Sequence, residues 1–321
     1  MVHLIGFGDL GRFVLTDLEK RGYEIESVVD ANERLIGKRV KEYGDYKTDV
    51  EITGSLPTDG YAILCTTSHL DGVCPTLRQL LEHGVSVVST CEELVFPFLK
   101  HRDIANSIDD LARKNGARVL GTGINPGFVM DLLALVLTAP CLKVERVEVT
   151  RVMSSTRRRP SYQKKIGTGL TLEEFSSKAS KGEITCHVGL QESAAMIGEG
   201  LGWKLQKIAE SGVEAVIADE EVKTDYAAVE KGMVAGVKSR CIGEYKEGKI
   251  DLEFISHCLV KNPYDSVHVY GDPDIVMRIE GGLDGDKGTV AMVLNSIPRL
   301  MDQEPGLVTM LDLPPPRCSM I

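Results

Sequence analysis

Short apolar runs alternate with helically spaced stretches through the first 120 or so residues. Val2 to Ile5 is an apolar run that ends at a glycine, and Leu10 to Glu19 then repeats apolar residues at helical intervals. Ile25 to Val29, Tyr61 to Cys65, Val85 to Val88 and Ala117 to Leu120 are further β-like runs. Helical segments from Leu70 to Glu82 and from Ile104 to Lys114 separate them. Apolar strands alternating with helices predict a parallel sheet covered on both faces.

After about residue 140 the pattern changes. Val144 to Val149 alternates apolar and polar residues as a one-faced strand does, and Met233 to Tyr245, Ile250 to Val260 and Ser266 to Ile279 read as three longer strands. Glu-Gly-Lys and Asn-Pro-Tyr-Asp supply turn chemistry between them. Helical stretches at Thr171 to Ser180 and Leu190 to Gly200 precede these strands, Gly281-Gly282 ends the last, and Thr289 to Met301 reads as a closing helix. The expected fold is α/β, with a dinucleotide-binding domain over residues 1–130, rejoined by 286–321. An α+β domain with a mainly antiparallel sheet is inserted at 131–285.

The length of 321 residues suits two domains. Hydrophobic residues at 43% and charged residues at 26% are ordinary globular values. A formal charge of −10 argues against a nucleic-acid partner. The longest apolar run, Phe128 to Val136, is broken by Asp131 and too short to cross a bilayer. The opening MVHLIGFG has no basic segment and no cleavage site, so a cytoplasmic protein without a membrane partner is expected. The eight cysteines form no CxxC pair and no zinc spacing, so they read as buried reduced thiols, with no metal site.

Candidate chemistry begins at Gly6-Phe7-Gly8-Asp9-Leu10-Gly11, a GxGxxG run that follows a strand and opens a helix. The first glycine permits the turn, the second lets backbone approach a pyrophosphate, and the third lets helix pack on strand. The helix start offers N–H groups to the phosphates. Asp30 ends the second strand, 19 residues after Gly11. A carboxylate there accepts hydrogen bonds from a ribose diol and repels a 2′-phosphate, which predicts NAD over NADP. Arg34, four residues on, leaves NADP use open. Cys65-Thr66-Thr67 ends the third apolar run, where the nicotinamide end of the cofactor is expected. Glu92 and Glu93 follow the next strand end, either as acid–base groups or as carboxylates at the start of a helix.

Several longer segments are more specific. Ser89-Thr90-Cys91-Glu92-Glu93-Leu94, Gly121-Thr122-Gly123-Ile124-Asn125-Pro126-Gly127 on to Asp131, and Arg157-Arg158-Arg159-Pro160 with Gln163 to Gly169 are three of them. His187 to Ser193, Gly281 to Asp286, Asn295 to Pro298 and Pro305 to Met310 are the others. Together, in this order and over nearly the whole chain, they resemble the 2,4-diaminopentanoate dehydrogenase family, relatives of dihydrodipicolinate reductase. That family includes amine dehydrogenases acting on simpler amines and ketones. The HHxxKxDAPSGT stretch of true dihydrodipicolinate reductases is absent, which argues against reduction of that cyclic imine.

The resemblance implies NAD(P)-dependent oxidative deamination, run in reverse as reductive amination. Its best match is 2,4-diaminopentanoate going to 2-amino-4-oxopentanoate and ammonia. It implies a Rossmann domain, an inserted domain lining the substrate cleft, and a homodimer. A glutamate of the STCEE loop serves the reacting amine: Glu92 first, Glu93 second. The same loop looks like the VTANK loop of homoserine dehydrogenases, whose lysine falls on Glu92. Asn125 is a candidate for the substrate amine or the nicotinamide carboxamide. Arg157 and Arg158 are candidates for clamping a substrate carboxylate. Gln163 and Lys165 are candidates for an anionic group, and His187 for lining the pocket. Two alternatives stay open: a dehydrogenase of simple uncharged amines, and an NAD(H)-sensing protein without turnover.

Overall fold

The computed structural model describes residues 1–318. It falls into two compact units. The first is Met1–Phe128 with the chain from Asp284 onward, and the second is Val129–Leu283.

The first unit opens with β1 (Val2–Ile5), α1 (Asp9–Lys20), β2 (Ile25–Val29), β3 (Ile52–Thr53) and β4 (Tyr61–Leu64). It continues with α2 (Leu70–Glu82), β5 (Ser86–Ser89), a 3-10 turn at Glu92–Val95, α3 (Arg102–Lys114) and β6 (Arg118–Gly121). β1 and β5 are buried along their whole length, which is why neither alternates with polar residues. Leu70, Val73, Leu77, Leu80 and Leu81 put one stripe of α2 into the core, against Leu64, Val87 and Val119 of the sheet.

The second unit runs through α4 (Leu132–Thr138), β7 (Lys143–Ser154), α5 (Pro160–Lys165), α6 (Leu172–Ser180) and α7 (Leu190–Gly200). Its strands then follow: β8 (Leu205–Glu210), β9 (Glu214–Ile217), β10 (Val222–Lys223), β11 (Ala228–Val229), β12 (Val234–Tyr245), β13 (Lys249–His257), β14 (Tyr264–Asp272) and β15 (Ile275–Glu280). Its main sheet has the order β15-β14-β7-β13-β12-β8, with β9 also on β12. Only β7 and β13 pair in parallel. Small residues on α7 let it close on this sheet: a Cβ at Gly198 would lie 2.2 Å from the Tyr245 ring, whose hydroxyl donates to the Ala194 carbonyl at 2.7 Å.

The chain returns to the first unit as α8 (Gly285–Met301) and β16 (Gly306–Val308). The first sheet then reads β16-β6-β5-β4-β1-β2-β3, every pair parallel. This is the Rossmann strand order with one strand added, and its order reverses between β1 and β4.

Three sequence expectations are corrected. Ser266 to Ile279 is two strands: Pro273 cannot donate to a ladder, and Asp274 accepts the Gly271 N–H at 2.8 Å to close a turn. The cysteines are all free, but they are not uniformly buried, since Cys65, Cys74 and Cys141 are half-buried and Cys318 is exposed. The closing helix starts at Gly285, four residues before Thr289, because Asp284 accepts the N–H groups of Asp286 and Lys287. No described helix is long and apolar enough to cross a membrane.

Candidate active site

The residues that follow the strands of the first unit are tied into one row. Gly6 donates to the Val29 carbonyl at 2.8 Å, Cys65 to Ile5 at 2.8 Å, Thr90 to Leu64 at 3.1 Å and Thr122 to Ser89 at 2.9 Å. Asp30, Gly6, Cys65, Thr90 and Thr122 therefore share the carboxyl edge of the sheet, where open α/β sheets take their ligands.

The Gly6–Gly11 loop is shaped by contact. Gly6 has φ +97°, and a Cβ there would lie 2.4 Å from the Cys65 carbonyl oxygen. A Cβ on Gly11 would lie 1.9 Å from the Gly6 carbonyl oxygen. At Gly8 a Cβ meets nothing within 4 Å, so the backbone is open to a ligand where the pyrophosphate is expected. Gly8 is also the cap of α1 and brings no side chain to the helix start. Phe7 is fully buried and packs against Tyr43 and Tyr46, and Leu10 is half-buried. Asp30 accepts the Phe7 N–H at 2.7 Å and the Asn32 N–H at 2.8 Å, one on each oxygen. Each oxygen keeps a further lone pair for a ribose hydroxyl. Arg34 is exposed. These features fit a dinucleotide.

Thr66 lies beside Gly6, with its methyl 3.1 Å from the Cβ position, and Thr67 packs against Gly72 of α2. Burial pushes the Cys65 thiol up to about 12, so this edge carries a neutral sulfur. Asn125 follows in the loop after β6. Both atoms of its amide are buried, and neither has a hydrogen-bond partner among the described residues. Buried amides are ordinarily satisfied, so this pair is a candidate place for a ligand's donor and acceptor.

The structure separates the two glutamates. Glu92 opens the 3-10 turn after β5. Glu93 is engaged elsewhere: its carboxylate accepts the Leu70 N–H at 2.7 Å and lies 3.1 Å from His69 Nδ1. Burial opposes its charge, but that N–H and the imidazoles of His69 and His101 outweigh burial and hold its carboxyl below the usual range.

In the second unit, Arg157 is exposed, whereas Arg158 lies over the Tyr162 ring at 4.5 Å. Gln163 is fully buried, and its amide donates to the carbonyls of Arg158 at 3.1 Å and Thr156 at 3.4 Å. It braces the arginine turn, which differs from the expected anion contact. His187 stacks on Phe254 with ring centroids 5.0 Å apart. Burial, with help from Lys165 and Arg151, pushes its imidazole down to about 3. Arg151 was not among the candidates. It is 1% exposed, pairs with Asp265 at 3.1 Å and donates to the Leu283 carbonyl at 2.7 Å. The signal was present, since Arg151 shares the inward parity of Val147 and Val149 on β7. Among the described residues, no group of three or more His, Cys, Asp or Glu side chains is placed to hold a metal.

Comparison with known proteins gives three findings. The family described as "2,4-diaminopentanoate dehydrogenase C-terminal domain" matches residues 128–321, more than half of the chain. The 2,4-diaminopentanoate dehydrogenase of Acetoanaerobium sticklandii is 34% identical over 338 residues, covering 99% of this chain and 94% of that protein. Among solved structures, an amine dehydrogenase from Mycobacterium smegmatis superposes with a TM-score of 0.85 at 18% identity, covering 99% and 97% of the two chains. A probable dehydrogenase from Thermotoga maritima reaches 0.59 at 12% identity, covering 97% and 91%.

Proposed function

The chain belongs to the 2,4-diaminopentanoate dehydrogenase family, and from that premise we propose that it is an NAD(P)-dependent amine dehydrogenase. Its substrate in this reading is a small diamino acid, best matched by 2,4-diaminopentanoate at the C4 amine. The products are 2-amino-4-oxopentanoate and ammonia, and the reaction is reversible. The observation that carries the reading is the row of Asp30, Gly6, Cys65 and Thr90 at the carboxyl edge, with Glu92 opening the turn that follows Thr90 and Cys91.

When bound, the dinucleotide supplies a hydride acceptor at nicotinamide C4. The loop that Gly6 and Gly11 shape would hold its pyrophosphate at the open Gly8 backbone, Asp30 would take the ribose diol, and Asn125 would meet an amide or amine with the two amide atoms that have no partner among the described residues. The carbon of an amine gives up hydride only when its nitrogen is neutral, whereas a free alkyl ammonium has a pKa near ~10, with lysine as the guide. Glu92 takes that proton at neutral pH and passes it to solvent; as a carboxylate again, it takes a proton from the water that attacks the iminium and returns it to the nitrogen that leaves as ammonia. Arg158 and Lys165 are assigned to the substrate carboxylate. Burial keeps His187 neutral, so it adds no charge beside Lys165. A cytoplasmic homodimer belongs to the same reading.

The test is absorbance at 340 nm at mildly alkaline pH, with NAD or NADP and either 2,4-diaminopentanoate or a 2-aminoalkane. Turnover of the diamino acid is expected, and Glu92→Ala is expected to lower kcat by roughly 10²-fold or more with NADH binding intact. Turnover of the 2-aminoalkane alone moves the substrate to uncharged amines. Near-normal kcat in the Glu92→Ala variant removes Glu92 from the chemistry. NADH binding without turnover of any amine favours a sensing protein.

A further inference from the structure

The turn that carries Glu92 is short and lies at the end of a strand. It stays in place through contacts made by the residues on either side of Glu92. Cys91 donates its thiol to the Ser68 carbonyl at 3.2 Å, and its N–H goes to the Ser89 hydroxyl at 3.1 Å. The Glu93 N–H donates to the same Ser68 carbonyl at 3.2 Å. Behind the turn, the backbone of Leu94 sits so close to β6 that a Cβ on Gly121 would lie 2.5 Å from it.

The strongest of these ties is the Glu93 carboxylate. α2 begins at Leu70 with His69 at its cap, and the His69 side chain makes no cap hydrogen bond. The cap comes from a distant strand end instead, with Glu93 accepting the Leu70 N–H at 2.7 Å. His69 Nδ1 lies 3.1 Å from one carboxylate oxygen, and His101 Nε2 of the α3 cap lies 3.4 Å from the other. One side chain therefore joins the starts of two helices to the turn that holds Glu92. The first of those helices begins at Leu70, separated from the Cys65-Thr66-Thr67 segment by Ser68 and His69.

We infer that Glu93 is a positioning residue for the reaction: its carboxylate ties the Glu92 turn to the start of α2 and so sets the base against the cofactor-facing edge. This rests on the assignment of Glu92 as the base. A carboxylate bonded to a helix N–H and flanked by two imidazoles is already committed, so Glu93 takes no proton from substrate. Its role is orientation, and a displacement of about 1 Å in a reacting group costs on the order of 10²-fold in rate.

The experiment compares Glu93→Ala, Glu93→Gln and Glu93→Asp with the wild type and Glu92→Ala. It reads kcat, KM, the Kd for NADH by fluorescence, and Tm. Glu93→Ala is expected to lower kcat by roughly 10- to 100-fold with the Kd for NADH nearly unchanged. Glu93→Gln, whose amide oxygen can still accept the Leu70 N–H, is expected to recover most of that loss. Glu93→Asp, one methylene too short, is expected to resemble Glu93→Ala, and it replaces that variant if alanine prevents folding. Wild-type kcat in Glu93→Ala, or in Glu93→Asp where alanine prevents folding, overturns the inference. So does a kcat loss matched by an equal weakening of NADH binding, or one that glutamine leaves unrecovered. If the wild type oxidises amines and Glu92→Ala abolishes this while the Glu93 variants do nothing, only this inference fails. If the wild type oxidises no amine, the reading beneath it fails as well.

Discussion

His187 shows how one side chain records its surroundings. It is packed flat on Phe254, and burial with two nearby cations pushes its imidazole down from 6.5 to about 3. In the unfolded chain it titrates at the ordinary value. Between those two values the unfolded state binds a proton that the folded state refuses. Stability from this group is therefore fully present above pH 6.5 and is lost as pH falls toward 3. Replacing it with glutamine removes that slope. Urea midpoints measured at pH 7.5 and pH 5 are expected to fall more in the wild type than in His187→Gln, and equal falls would show that His187 is not held neutral. Glu93 and Gln163 make a related point. Their residue types were legible as polar candidates, but their jobs were not. A carboxylate is a base or a cap depending on which N–H the fold brings to it, and Leu70 is 23 positions away.

At the scale of elements, the β1–α1 junction is the most constrained. Gly11 lies under the Gly6 carbonyl with no room for a methyl group, so Gly11→Ala must push helix and strand apart. That change is expected to weaken NADH binding by roughly tenfold or more and to lower stability by about 1–3 kcal/mol. Fluorescence titration and urea unfolding check both, and unchanged NADH affinity would show that the loop does not hold the pyrophosphate. Strands β1 and β2 and helix α2 were legible to the residue, because apolar runs and helical spacing are local signals. The division of β14 from β15 was written in Gly271-Asp272-Pro273-Asp274, a turn hidden inside continuous alternation. The cap of α2 was not legible, because no Ser, Thr, Asp or Asn stands at its own cap position.

At the scale of the molecule, a bound dinucleotide adds its binding free energy to folding. NAD at 100 times its Kd is expected to stabilise by about 2.7 kcal/mol, read as a rise in Tm. With Asp30 at the end of β2, the rise with NADP at equal concentration is expected to be smaller, and a larger one would overturn the NAD preference. The order of apolar runs already determined an α/β unit followed by an α+β unit, since period and run length are properties of the chain itself. The GxGxxG run and Asp30 determined the class of cofactor, because their spacing within one βαβ unit is local. Only the tertiary structure decided which glutamate is committed to a cap and that Gln163 braces a turn. It alone left the Asn125 amide without partners among the described residues, and it alone buried Arg151 against Asp265, 114 positions away. Those outcomes depend on contacts between residues far apart in sequence, and the strength of a hydrogen bond or the cost of a buried charge is set by what the fold brings alongside it.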